Sequence, residues 1–160
     1  MSEERFRKSL QLARLQPNVR AILVIFDLDD DCARDLVPNL CMWGVQEASF
    51  RAFGLTLARR EYEAWLLEAL DSLRGQRGIS SDAAYPENPE AVRDAKGALR
   101  RFMPANQAYV ETADQAAFSA QFDMREAYRR TSSFRKLVKE LCRILTELGC
   151  QPTIPSEWLA

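Results

Sequence analysis

The run from Ala21 to Phe26 constrains the fold more than any other stretch, because six consecutive apolar residues give way directly to acidic ones. The run is continuous rather than alternating, is rich in β-branched residues and is too short for a buried helix. These properties are typical of a strand that is covered on both faces in the middle of a parallel sheet. We therefore predict a buried central strand over this run.

Four aspartates lie at or just past the carboxyl end of the predicted strand, namely Asp27, Asp29, Asp30 and Asp31. Open α/β sheets place their ligand crevice at that end of the strands. Two carboxylates one residue apart can project into one crevice if the chain leaves β geometry there, and their oxygens suit Mg²⁺ or Mn²⁺. Asp27 and Asp29 are therefore the candidate metal ligands. A solvated acidic turn that caps the next helix is the alternative.

The composition of the chain excludes several classes of function. A length of 160 residues and a net charge of -1 predict a single domain, residues 1–160, without a general polycationic attraction to nucleic acid. The chain contains no histidine, which excludes a Ser-His-Asp relay and a histidine-ligated metal. No apolar run approaches the ~20 residues of a membrane span, and the first residues lack the apolar core of a signal peptide. We expect a cytoplasmic protein.

The two parts of the chain differ in pattern: residues 1–75 carry the predicted sheet and the acidic site, whereas residues 76–160 are predicted to be mostly helical. Helical periodicity is clear from Arg60 to Gly75, where the apolar stripe places Glu61 and Glu63 on opposite flanks. At most one of the two can therefore easily point at a given neighbouring site. The alternative is that both stabilise the amino terminus of a helix through its dipole.

A second predicted helix carries a basic ridge. Asn88 followed by Pro89 indicates a helix start, and Arg93, Lys96 and Arg100 then recur at helical spacing on one side. Such a ridge is usually a solvated face, but beside an acidic crevice it would hold a nucleic-acid backbone near a metal. A first helix capped by Ser2 and ending at Pro17 is also predicted, as are a last long helix from Thr131, with Gly149 as its stop, and an irregular loop over 75–88.

The sequence resembles two families. The letters VIFDLD resemble the opening of the haloacid-dehalogenase phosphatases, which continue with a glycine and a hydroxyl residue where this chain has Asp30 and Asp31. The ordered segments DLDDDC, LARREYEAWLLEAL, NPEAVRDAKGALRRFM and TSSFRKLVKEL resemble the TOPRIM-related domain-of-unknown-function family 4276. That second resemblance runs from about Arg20 to Leu148.

The TOPRIM resemblance implies a small, mostly parallel α/β sheet with a Rossmann-like arrangement and a helix-rich C-terminal half. It also implies a Mg²⁺- or Mn²⁺-dependent nuclease related to the overcoming-lysogenization-defect nucleases, with Asp27 and Asp29 as the DxD metal pair. By the same resemblance, Glu61 and Glu63 are candidates for an additional acidic ligand or a catalytic base. Proteins of this family are often encoded beside ATP-binding-cassette-type ATPases in phage-defence loci, so the resemblance implies such an ATPase as partner.

The chain departs from the family pattern at its start. Family members begin with a strand and an acidic motif, and nothing like that motif precedes Glu3 and Glu4. We expect either a longer protein of which this is a part or a site that has lost its first glutamate. A non-catalytic partner or scaffold, which docks an ATPase through the helical half and the tail around Trp158, is therefore the alternative function.

Overall fold

The computed structural model describes residues 2–49, 51–84 and 88–159 and shows a mixed α/β fold that is mainly helical. The regular elements, in chain order, are α1 (Glu3–Arg14), β1 (Ala21–Asp27), α2 (Ala33–Ala48), β2 (Ala52–Ala58), α3 (Glu63–Glu68), α4 (Leu70–Leu73), α5 (Ala95–Arg101), α6 (Ala116–Ser119), α7 (Met124–Arg130), α8 (Ser132–Glu147) and α9 (Ser156–Leu159). A 3₁₀ turn (Pro89–Ala91) precedes α5, and a π turn (Glu111–Gln115) runs into α6.

The two strands pair in parallel, in a register that runs from Ala21 beside Ala52 to Asp27 beside Ala58. At the start of the ladder the Ala52 amide donates to the Arg20 carbonyl, and at its end the Leu28 amide donates to the Ala58 carbonyl. In this pattern the even-numbered residues of both strands direct their amides and carbonyls toward each other. The odd-numbered residues therefore direct theirs to the two outer edges of the sheet.

The strand predicted over the apolar run is present, but its predicted central position is wrong within the described residues. Among these residues the sheet contains β1 and β2 alone, so β1 has one open edge. Along β1 the side chain of Ile22 is buried, whereas Ile25 is 44% exposed. A continuous apolar run fits an edge strand as well as a central one, because its two faces are covered by helices independently of its edges.

The β2 strand lies between two helices. The ring of Phe53 packs against Gly44 of α2, where a Cβ atom would overlap the ring. On the other face, a Cβ atom at Gly54 would lie 2.6 Å from Cδ1 of Ile144 in α8. The Arg143 guanidinium also donates to the Phe53 carbonyl at the outer edge of β2. Both glycines therefore allow a helix to approach the strand closely.

Two predicted helices are interrupted in the structure. The helix predicted from Arg60 to Gly75 begins at Glu63 and breaks at Ala69 into α3 and α4. The helix predicted from Asn88 gives a 3₁₀ turn and then α5, because the Asp94 side chain caps α5 through the Gly97 amide at 2.8 Å. Capping geometry thus sets the start of α5, whereas no side-chain cap accompanies the break at Ala69.

The predicted first and last helices are confirmed. Ser2 accepts from the Arg5 amide and caps α1, and Gly149 ends α8 with a φ of +85°. The predicted irregular loop has no helix or strand over residues 75–84, and its residues 85–87 lie outside the described ranges. Within the described residues, no helix has the length and apolar character needed to cross a bilayer.

The largest apolar core takes most of its side chains from α3, α4 and α5, and so joins the sheet-bearing part of the chain to the mostly helical part. Its buried members are Ala64, Leu66, Leu67, Leu70, Leu73, Ile79, Ala83, Ala95, Ala98, Leu99, Met103 and Phe118. The Trp65 side chain points the other way, donates to Ser133 Oγ at 2.8 Å and packs on Phe134 of α8. These contacts hold α3 at the carboxyl end of β2 and thereby position the residues of the candidate site.

Candidate carboxylate site

The carboxylate of Asp27 is held at the end of β1 by the segment that follows β2. Its Oδ1 accepts a hydrogen bond of 2.9 Å from the Tyr62 amide. Tyr62 lies four residues after the end of β2 and directly before α3. The parallel register brings the two strand ends together, so the Asp27 carboxylate faces the start of α3.

Glu63, the first residue of α3, has a fully buried side chain, with 0% relative exposure. Its Oε1 accepts from the Tyr109 hydroxyl at 2.7 Å and from the Gln115 amide at 3.0 Å. Its Oε2 has no hydrogen-bond partner among the described residues. A buried carboxylate oxygen without a partner is costly, so this oxygen marks the site as a place where a ligand would be favourable.

The electrostatics of the site centre on Asp27. Burial, followed by the charge of Glu63, raises the pKa of Asp27 to about 6, against the opposing effects of the Tyr62 amide and Lys96. Burial and the hydrogen bond to Glu63 also raise the pKa of Tyr109, so its hydroxyl stays protonated as a donor. Asp27 therefore changes protonation in the range in which general acids and bases operate.

Lys96 brings a positive charge to the carboxylates. Its ammonium pairs with Glu111 at 3.0 Å, and this hydrogen bond is the main reason that the pKa of Lys96 is raised. The charges of Glu63 and Glu61 raise that pKa as well. Glu61 also accepts from the Lys96 amide at 3.0 Å, so it fixes the start of α5 against the site.

A cleft of about 440 Å³ gives access to Asp27. It is lined by Ile25, Phe26, Asp27, Tyr62 and Gln115 and lies beside the open edge of β1. No described hydrogen bond uses the outward amides and carbonyls of this edge. A ligand in the cleft would meet Asp27 and the Gln115 side chain that holds Glu63.

The other predicted metal ligand, Asp29, lies on an exposed turn, where it adopts a φ of +49°. It lines a separate pocket of about 60 Å³ with Asp30, Arg60 and Arg93. Asp30 in turn pairs with Arg60 and lies 3.6 Å from Arg93. The structure therefore groups Asp27 with Glu63, and the Asp27–Asp29 metal pair stays a prediction.

No group of three or more acidic, histidine or cysteine side chains in residues 2–49, 51–84 and 88–159 is arranged to hold a metal ion. Any cation in the cleft would therefore depend on two protein carboxylates at most. Such a donor set is the one that Mg²⁺ commonly accepts, because it retains several waters.

The predicted basic ridge does not form on one helix. Arg93 precedes α5 and lies on its own segment, so it does not share the α5 face with Lys96 and Arg100. Lys96 pairs with the carboxylate of Glu111, and Arg93 lies near that of Asp30. The side chain of Arg100 is exposed. A role of these three residues in binding nucleic acid stays a prediction.

The residues that complete the site were not among the sequence-based candidates. Tyr109, Gln115 and Glu111 come from the segment around the π turn, which carries no recognised motif. A hydroxyl or amide side chain in an irregular segment gives no periodic signal, so sequence reasoning had no basis for selecting them.

No protein-family model, curated protein or solved structure matches this chain. The likeness to the TOPRIM-related family therefore rests on the four sequence segments alone. The structure shows a mixed α/β fold with a small parallel sheet, while the TOPRIM assignment stays a prediction.

Proposed function

We propose that this protein is a metal-dependent hydrolase of phosphodiesters, a nuclease-like enzyme whose site is the cleft at Asp27, next to the buried Glu63 carboxylate. The observation that carries the proposal is the fully buried Glu63 carboxylate, whose Oε2 has no partner among the described residues. Among the neighbouring charges, that of Glu63 raises the pKa of Asp27 the most. Two carboxylates in this relation are a donor set for a hard divalent cation.

The available oxygens fit Mg²⁺ or Mn²⁺. Oδ1 of Asp27 and Oε1 of Glu63 accept protein hydrogen bonds, which leaves Oδ2 of Asp27 and Oε2 of Glu63 as donor atoms. A divalent charge at these atoms would offset the repulsion that raises the pKa of Asp27. When bound, such a cation lowers the pKa of a water ligand and neutralises charge on a phosphodiester.

The protein's own residues have separable roles in this proposal. Tyr109 and Gln115 fix the orientation of Glu63 through its Oε1. With a pKa of about 6, Asp27 is mostly ionised at neutral pH, so its carboxylate can serve as a ligand to a cation. Lys96 supplies positive charge near both carboxylates and would attract a phosphate group, although Glu111 shares that charge.

The first test is isothermal titration of the purified chain with Mn²⁺ and Mg²⁺ near neutral pH. We expect submillimolar Mn²⁺ binding that is lost in Asp27→Asn and Glu63→Gln. The exposed acid Asp31 supplies the matched control, because Asp31→Asn removes the same charge from the acidic turn. Binding should also weaken as the pH falls through about 6, because protons then compete for Asp27.

Two outcomes would overturn the metal site: no Mn²⁺ binding by the wild type, or binding that persists in both cleft variants. Circular dichroism shows whether Glu63→Gln folds, and the half-buried Asp27 provides an independent variant if it does not. Loss of binding in Asp29→Asn alone would instead identify the acidic turn as the ligand source.

The activity test uses single-stranded and double-stranded DNA and RNA with Mn²⁺. We expect cleavage that requires Asp27 and stops when the metal is chelated. Cleavage that is equal in wild type and Asp27→Asn would show contamination or another site.

A second candidate function is a non-catalytic partner of an ATPase, and one observation favours it. In α9 the Trp158 ring packs on Tyr128, with ring centroids 5.5 Å apart, while Leu159 remains 66% exposed. These residues border a shallow pocket of about 290 Å³, which offers an apolar contact surface. A folded protein without metal binding or cleavage, whose binding to such an ATPase is lost in Leu159→Ser, would favour this function.

A further inference from the structure

A second cavity, of about 410 Å³, lies on the side of the sheet opposite the carboxylate cleft. It occupies the outer edge of β2 between the first turns of α2 and α8, and Leu28, Val37, Leu55 and Leu57 form apolar walls. A cavity of about 300–1,000 Å³ with mainly apolar walls and a few polar groups is the usual form of a small-molecule site. We call it the α2–α8 cavity.

Backbone groups of β2 face this cavity. Odd-numbered residues of β2 direct their amides and carbonyls to the outer edge, where Arg143 already occupies the Phe53 carbonyl. The amides and carbonyls of Leu55 and Leu57 have no partner among the hydrogen bonds that the structure describes at this edge. Both residues line the cavity, so their amides are donors for a bound ligand.

Thr56 supplies a side-chain donor. It lines the cavity, is 3% exposed, and its hydroxyl has no hydrogen-bond partner among the described residues. A buried hydroxyl without a partner costs stability, and valine has the same shape without that cost. The hydroxyl therefore contributes nothing visible to the fold and is available to a ligand.

The charge at the cavity is positive. Arg59 and Lys136 both line it, and neither forms an ion pair within the part of the chain that the structure describes. The α8 amino terminus also lies there, but its Ser132 and Ser133 amides donate to the Glu90 carboxylate. Because Glu90 offsets the helix dipole, the two unpaired cations set the sign of the charge.

We propose that the α2–α8 cavity binds a small organic monophosphate. The phosphate would be held by Arg59 and Lys136 together with the Thr56 hydroxyl, and the apolar part of the ligand would fill the space between Val37 and Leu57. Two cations and uncharged donors match a dianion with several acceptor oxygens better than a single carboxylate. Inorganic phosphate alone would leave the apolar walls uncovered. This binding activity is independent of metal binding in the cleft.

The test is isothermal titration with AMP and with phenyl phosphate in the presence of EDTA, so that a cation in the cleft cannot contribute. We expect at least one of the two to bind with a Kd below about 1 mM, an affinity in the range of a modest site. Adenosine and inorganic phosphate, which each lack one half of the recognised chemistry, should bind at least about tenfold more weakly, the loss expected for a charge-assisted contact.

Variants locate the ligand. Arg59→Gln and Lys136→Gln should each weaken binding about tenfold, and Thr56→Val about fivefold, from the usual worth of charged and neutral hydrogen bonds. Thr56→Val should at the same time raise the Tm of the free protein, an effect that a merely structural hydroxyl would not give. Lys139→Gln is the matched control, because Lys139 is an exposed cation on α8 that does not line the cavity.

Three results would overturn the proposal. The first would be that neither AMP nor phenyl phosphate binds. The second would be unchanged binding in both Arg59→Gln and Lys136→Gln. The third would be that Lys139→Gln weakens binding as much as Lys136→Gln does. The last result would show general attraction to a basic helix face. Because EDTA is present throughout, failure of this site leaves the metal-binding results at Asp27 unaffected, and the reverse also holds.

Discussion

Two sets of carboxylates follow the carboxyl ends of the strands: Asp29, Asp30 and Asp31 on the acidic turn, and the pair Asp27 and Glu63 at the cleft. Asp29, Asp30 and Asp31 are exposed, and Asp30 is paired with Arg60. Asp27 is half-buried and Glu63 is fully buried, with one oxygen unpartnered among the described residues. The composition of the acidic stretch therefore does not indicate which carboxylate is buried and has a shifted pKa.

The physical cause of the difference is desolvation. A charge on the turn is solvated and screened, so its interactions contribute little to stability. A charge in the cleft loses water, and the charge of a second carboxylate nearby then raises the pKa of Asp27. We expect substitutions in the cleft to have large effects and equivalent substitutions on the turn to have small ones.

The largest effect is expected for Glu63→Ala. This change leaves a cavity and removes the acceptor of the Tyr109 hydroxyl and the Gln115 amide. The expected loss is about 2–4 kcal/mol in the free energy of unfolding. Urea unfolding measures it, and Asp30→Ala on the turn is the control, with an expected change within about 0.5 kcal/mol. Equal effects of the two changes would remove the distinction between turn and cleft.

A smaller effect, which depends on pH, is expected for Asp27→Asn. Because the pKa of Asp27 is raised to about 6, the folded protein binds this proton more tightly than the unfolded chain does. The resulting stability is fully present below about pH 4 and is lost as the pH rises through about 6. Between about pH 4 and about pH 7 the free energy of unfolding of the wild type should therefore fall by about 1 kcal/mol relative to that of Asp27→Asn. This figure allows for the partial exposure of Asp27.

Urea unfolding of both proteins at about pH 4 and at about pH 7 measures this difference. Asp31→Asn is the comparison on the turn and should keep the pH dependence of the wild type. Parallel pH profiles of wild type and Asp27→Asn would show that the pKa of Asp27 does not differ between the folded and the unfolded protein.

The smallest effect is expected on the turn itself, for Asp29→Gly. Asp29 adopts a φ of +49°, which glycine accepts with less strain than a residue with a Cβ atom. We expect a gain of about 0.5 kcal/mol in stability, partly offset by the greater freedom of glycine in the unfolded chain. Thermal unfolding measures the gain, with Asp29→Asn as control. A clear loss of stability would show that the Asp29 carboxylate makes a contact that matters to the fold.

Some of the fold follows from local sequence features. The Ser2 cap, the apolar period up to Gly149 and the apolar run before Asp27 predict α1, α8 and β1, since each signal lies within the element that it specifies. The interruption before α5 was not predicted, because the Asp94 cap competes with the signal at Asn88 and Pro89. A capping side chain can favour either of two nearby starts, and packing selects between them.

The sequence by itself determined that Asp27 would end a strand and that acids would gather at the carboxyl end of a parallel sheet. Only the tertiary structure decided that Glu63 is buried beside it, because the partners of Glu63 lie 46 and 52 residues further along the chain. Local signals follow from backbone geometry and nearest neighbours. Burial and pKa depend on which distant segments pack around a side chain, and no window of sequence contains that information.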